Sequence, residues 1–328
     1  MKSFRLSLAA AASSLALLTP GALTGAFAAD MQVVTSIKPV HSLVAGVMEG
    51  VGEPALILQG AGSPHTYSMR PSQARMLANA DLVFWVGPGL EVFLEKPLET
   101  LAGEATQVAL SDSEGLTLLE MREGGAFEAH SHGDDHDDHD DHGHEAEEDG
   151  HDHAHDHGPD AHLWLDPDNA KIMVSAIAEA LSAADAENAS AYAANAAALN
   201  ERIAALQTEL SAELEPVKDR PFIVFHDAYQ YFEKQFGLAA AGSITVSPEI
   251  IPGAQRVDEI RTKVRELDAA CVFAEPQFEP RLVEVVTEGT DAKSGVLDPL
   301  GAEIEDGKDL YFELMRGMAA SLKTCLTK

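Results

Sequence analysis

Short runs of β-branched and aromatic residues alternate with stretches of helical apolar spacing along most of this chain, and that alternation narrows the fold more than any other feature. Strands are read at residues 32–37, 55–58, 82–86, 222–225, 241–246, 272–274 and 295–297. Helices are read at 39–48, 72–79, 90–101, 169–184, 188–214, 229–236, 254–267, 281–288 and 309–322. A strand followed by a helix and another strand gives parallel pairing, with helices covering both faces of the sheet. The expected class is α/β, in two lobes, each a mainly parallel sheet flanked by helices. Such sheets bind ligands outside the carboxyl ends of their strands.

The helix read at 188–214 would be about 40 Å long at 1.5 Å per residue. Its apolar stripe at Ala194, Ala198, Ile203, Leu206 and Leu210 suits either a rigid connection between the lobes or an ordinary long surface helix. The corresponding division is a leader at 1–28, a first lobe at 29–187, a linking helix at 188–216 and a second lobe at 217–328. No internal repeat is evident.

The alternation breaks down at 128–160, which holds ten histidines, fourteen acidic residues and no Lys or Arg. With almost nothing to bury, this segment reads as a disordered loop. Its spacing, as in His151, His153, His155 and His157, offers many imidazoles without fixing one geometry, so metal binding there is expected to be weak and promiscuous. The plain alternative is a solvated acidic spacer.

Across all 328 residues, 54 acidic side chains stand against 22 basic ones, for a net charge of −32. A field of that sign repels phosphate backbones and anionic membrane surfaces, which excludes nucleic acid as a partner and favours cations. Lys2 and Arg5, the apolar run at 6–18 and the small residues of Ala26-Phe27-Ala28 form a signal peptide cut after Ala28. Export into an oxidising compartment lets Cys271 and Cys325 pair. A thiolate metal site is the weaker alternative, since the two lack close CxxC spacing.

Outside the loop there are four histidines. His65 lies in a turn soon after a strand, His162 opens His162-Leu163-Trp164-Leu165-Asp166-Pro167, and His226 ends the 222–225 strand. Asp298 follows the 295–297 strand; a capping aspartate is the bland alternative. Three imidazoles and a carboxylate complete a tetrahedral shell suited to zinc, copper or nickel more than manganese or magnesium, with zinc the default. His41, inside an early helix, is read as structural or as a support for a ligand.

Six segments together carry a resemblance: Ser36-Ile37-Lys38-Pro39-Val40; Pro64-His65-Thr66-Tyr67 with Arg70-Pro71-Ser72; His162 to Pro167; Phe225-His226-Asp227-Ala228-Tyr229; Phe273-Ala274-Glu275-Pro276-Gln277-Phe278; and Leu297-Asp298-Pro299-Leu300-Gly301. In order and spacing the chain resembles the metal-specific (cluster A-I) substrate-binding proteins of bacterial ABC importers, and within them the zinc branch. The resemblance implies a periplasmic, monomeric, non-catalytic carrier that holds Zn2+ in a cleft between lobes and passes it to an inner-membrane permease. It places His65, His162 and His226 on the ion, with Asp298 as the fourth ligand and water as its rival. His226 favours zinc, because manganese-type relatives tend to carry a carboxylate there. Some zinc members have an acidic residue just before the first histidine, where this chain has Pro64.

Two other functions fit parts of the sequence. A zinc hydrolase would need an activated water and a base, and the chain has no HExxH pair. An exported metal buffer would act through the histidine-rich loop alone.

Overall fold

The computed structural model describes residues 31–122, 127, 158–245, 248 and 252–327. Four parallel strands, β1 (Val33–Thr35), β2 (Ala55–Leu56), β3 (Leu82–Trp85) and β4 (Thr106–Ala109), form one sheet in the order β2-β1-β3-β4. Four more, β5 (Phe222–His226), β6 (Gly242–Thr245), β7 (Cys271–Ala274) and β8 (Lys293–Val296), form a second in the order β6-β5-β7-β8. Both sheets therefore place their first strand beside their third, so chain direction across the sheet reverses at the same place in each. The expected α/β class is found, and the two halves share a topology that no sequence repeat discloses.

The central strands read as unbroken apolar runs because helices cover both faces. Val33, Val34, Leu82, Val83 and Phe84 are buried, as are Ile223, Val224, Val272 and Phe273. β4 was not anticipated. It is an edge strand whose Thr106 and Gln107 face solvent, so its sequence lacks the apolar density that marks the inner strands.

Helix boundaries follow local chemistry. Pro39 sits in the first turn of α1 (Lys38–Val47), where its missing N–H costs nothing. Pro167 opens α4 (Pro167–Ala184), and the Asp166 side chain caps that helix by accepting from Asp168 N at 2.8 Å. α5 (Ala189–Leu214) runs for 26 residues with Tyr192, Ala196, Leu199, Ile203, Leu206, Leu210 and Leu214 buried. It packs on α1 and α4 from the first half and on α9 (Leu310–Leu326) from the second. Contact with α1 depends on Gly46, where a Cβ would lie 2.9 Å from Leu199 Cδ2.

The Cys271–Cys325 disulfide forms, with Cα atoms 6.0 Å apart, and ties β7 to α9. The leader falls outside the described residues, as do residues 128–157 of the histidine-rich segment. Its last three residues correct the expected disorder: Gly158 and Asp160 flank Pro159, which bridges to Glu120, and Asp160 is buried with its N–H donated to Leu119 O at 2.8 Å. Backbone pairing and burial hold this end of a segment whose composition offered nothing to bury.

Candidate metal centre

His226 is the last residue of β5, and Glu275 directly follows β7, the strand beside it. β5 and β7 pair with Phe222 opposite Cys271 and Ile223 opposite Val272. Carried to the strand ends, that register sets His226 beside Glu275, and the His226 ring bonds Glu275 Oε1 through Nδ1 at 2.7 Å. His226 N–H also donates to the same oxygen at 3.3 Å. The site thus sits at the carboxyl ends of two neighbouring strands where strand order reverses.

The other two histidines come from the first half. His65 lies in the connection between β2 and α2 (Pro71–Ala78). His162 precedes a single 3-10 turn, Leu163–Leu165, which leads into α4. Asp160 Oδ1 accepts from His162 N at 3.0 Å and pairs with His162 Nδ1 at 2.7 Å. Two ligand candidates on opposite halves are therefore oriented in the same way, each with a carboxylate on Nδ1 and its Nε2 turned toward that of the other.

Three of the four sequence-predicted ligands are brought together. One ring nitrogen from each of His65, His162 and His226 lies within 4.8 Å of the others, and the Nε2 atoms of His162 and His226 are 3.4 Å apart. Ring centroids are separated by 5.3 to 5.6 Å. Trp164, Phe278, Pro299 and Leu300 complete the walls. Burial, then the neighbouring His162 and His226, hold the His65 pKa well below its usual value, so this imidazole is neutral with a lone pair to give. Burial also depresses His226, but Glu275, Asp227 and Asp160 overcome it and the net shift is upward. Such a donor set answers to a borderline-soft divalent cation, whose charge would replace the proton these carboxylates favour.

Asp298 is not brought to the three histidines. Its Oδ1 accepts from Leu300 N at 3.1 Å and Gly301 N at 3.0 Å, and its Oδ2 accepts from Ala302 N at 2.6 Å. Gln277 Nε2 donates to Oδ1 at 2.8 Å. The carboxylate organises a turn that needs Gly301 at φ +71° and that presents Pro299 and Leu300 to the site. Trp164 Nε1 donates to Pro299 O at 2.8 Å, fastening that turn to the His162 segment. The turn reading, given for Asp298 as the bland alternative, is the one the geometry displays. His41 is structural, with Nε2 3.2 Å from Pro54 O.

The sequence reading missed Asp160 and undervalued Glu275. Asp160 closes a low-complexity acidic segment and is camouflaged by it. Its signal was the spacing Asp160-x-His162, which lets a side chain reach back to the ring two residues on. Glu275 follows a strand predicted to lie in the same sheet as that of His226, but only pairing register shows that the two meet.

Two parallel sheets with this shared strand order, and a three-histidine centre fed from both, define a two-lobed metal-binding protein. The family model described as zinc-uptake complex component A, periplasmic, matches residues 33–325. The high-affinity zinc uptake system protein ZnuA of Brucella suis biovar 1 (strain 1330) is 55% identical over 306 residues, covering 90% of this chain and 92% of that one. Its namesake in Yersinia pestis is 40% identical over 327 residues, covering 96% of each chain. Among solved structures, the periplasmic zinc binding protein TroA from Treponema pallidum superposes with a TM-score of 0.75 at 18% identity, over 92% of this chain and all of that one. The chain belongs to the periplasmic zinc-uptake component A family.

Proposed function

We propose that the protein captures Zn2+ in the periplasm through His65, His162 and His226 and delivers it to an inner-membrane ABC permease. The observation that carries this reading is the convergence of three imidazole nitrogens within 4.8 Å, two of them oriented by buried carboxylates. Water supplies the fourth ligand, because Asp298 does not gather with the three histidines and its carboxylate instead holds the turn at Leu300 to Ala302. The protein acts as a non-catalytic carrier and works as a monomer. The names of the relatives support zinc as the cargo.

The experiment is zinc stoichiometry with chelator competition on the mature protein lacking residues 130–157, beside the same form carrying His226→Ala. One tightly held zinc in the first and a large loss in the second is the expected result. Loss of all tight binding on loop deletion would instead assign the protein to metal buffering through its histidine-rich segment.

A further inference from the structure

The histidine-rich segment leaves the described chain after Arg122 and rejoins it at Gly158, with Phe127 the one described residue between. In sequence this insertion falls between β4 and α4, within the first half. In space its stem docks on the second half, against α6 (Gln230–Phe236), the helix that follows His226. Tyr231 Oη accepts from Leu119 N at 3.1 Å and donates to Asp160 O at 2.8 Å, gripping both strands of the stem at once. Gln230 Nε2 donates to Glu120 O at 2.9 Å.

Arg122 makes the strongest of these attachments. Its Nε donates to Asp227 Oδ1 and Oδ2 at 3.1 and 3.0 Å, and its Nη2 also binds Asp227 Oδ1. Nη1 and Nη2 reach the two oxygens of Glu233 at 2.8 and 3.0 Å. The side chains of Asp227 and Glu233 are only 9% and 4% exposed, so one guanidinium is shared by two carboxylates that water hardly reaches. The Phe127 ring covers it, 4.2 Å from the guanidinium carbon. Only one side of the stem therefore reaches a histidine of the cluster, Asp160 bonding His162 directly, while Arg122 on the other side bonds Asp227, the neighbour of His226.

We infer that this stem is a brace across the site and that Arg122 is a positioning residue, holding the segments that carry His162 and His226 together and slowing the release of zinc. The inference rests on the three histidines being the zinc site. Its physical basis is the planar fork of arginine, which spans two carboxylates where the single ammonium of lysine cannot. With that fork lost, Asp227 and Glu233 repel each other, and the His226 turn loses its tie to the chain that positions His162.

The test uses the full mature chain carrying Arg122→Lys, with Arg122→Met alongside. Zinc release into excess chelator is followed by stopped flow, and backbone hydrogen exchange is followed without metal. The expected result for Arg122→Lys is release faster by about tenfold, within the range carried by partners of ligating groups. Association should change little. Metal-free exchange should accelerate at residues 160–163 and 226–231 and not elsewhere. A release rate and exchange pattern equal to wild type overturns the brace, whether or not the melting temperature falls, since a merely structural role moves only that. If Arg122→Met fails to fold, Arg122→Lys decides alone. Retention of tight zinc by His226→Ala would instead defeat the assignment of the site, while the exchange measurement would still judge the brace.

Discussion

His162 and His226 face each other across the two halves with their Nε2 atoms 3.4 Å apart. Each ring has a carboxylate on Nδ1, Asp160 or Glu275, at 2.7 Å, which turns both Nε2 atoms toward one place where a single cation could take both. Replacing either histidine by alanine should cost zinc affinity more than the roughly 10 to 100-fold expected for a supporting residue. Chelator competition checks this, and His65→Ala should fall in the same class.

Glu275 is the support whose loss is most readily isolated. Glu275→Gln keeps an oxygen for the His226 ring but removes the charge, whereas Glu275→Leu removes the acceptor. Zinc affinity should fall in the order wild type, Gln, Leu, with the last lower by about 10 to 100-fold. The cobalt-substituted spectrum should keep its ligand-field pattern for Gln and shift for Leu. An unchanged affinity in both would deny Glu275 this role.

Asp298→Ala separates a turn from a ligand. Three backbone N–H groups lose their acceptor, so unfolding free energy should drop by about 1 to 3 kcal/mol while one zinc still binds tightly. Urea denaturation of metal-free protein reads the first quantity and titration the second. A loss of affinity as large as that of His226→Ala would restore Asp298 to the shell.

Glu91 gives a pH dependence free of the metal site. Burial raises its carboxyl to about 7, against hydrogen bonds from Ser36 and from the N–H groups of Val86 and Gly87 that favour the anion. Between the ordinary carboxylate value of 4.5 and about 7, the folded state holds more protons than the unfolded one. Stability therefore declines as pH rises through that window, by about 3 kcal/mol for this group. Metal-free urea midpoints at pH 5 and pH 8 should show a smaller decline in Glu91→Gln than in wild type.

The disulfide contributes independently of zinc. Closing a 54-residue separation restricts the unfolded chain by about 4 kcal/mol in the chain-entropy picture. Cys271→Ala with Cys325→Ala should lower stability by an amount of that order and leave zinc stoichiometry unchanged.

The elements of this fold were legible in the sequence wherever apolar spacing was dense. All seven predicted strands and nine predicted helices appear, displaced mainly at their ends. β8, for example, spans Lys293–Val296 where residues 295–297 were expected, because Lys293 and Ser294 join the ladder by backbone pairing with Cys271 and Val272, which side-chain character does not announce. His65 and His226 were legible because they follow apolar runs, and His162 because it opens one. Asp160 was hidden by the acidic segment it closes, Glu275 meets His226 only through pairing register, and Arg122 reaches Asp227 and Glu233 only because the stem docks on the second half.

The Ala189–Leu214 helix bears on how an ion leaves. It is seated along its length, with a buried side chain at every third or fourth residue and Leu199 locked over Gly46. Bending it would expose several of these side chains, at about 1.5 to 3 kcal/mol for each leucine or isoleucine uncovered. Opening by bending this helix is therefore disfavoured. Under the carrier reading proposed above, ion exchange falls to the connections that carry His65 and His162 and to the strand end at His226, and a permease taking the ion would act on those few segments.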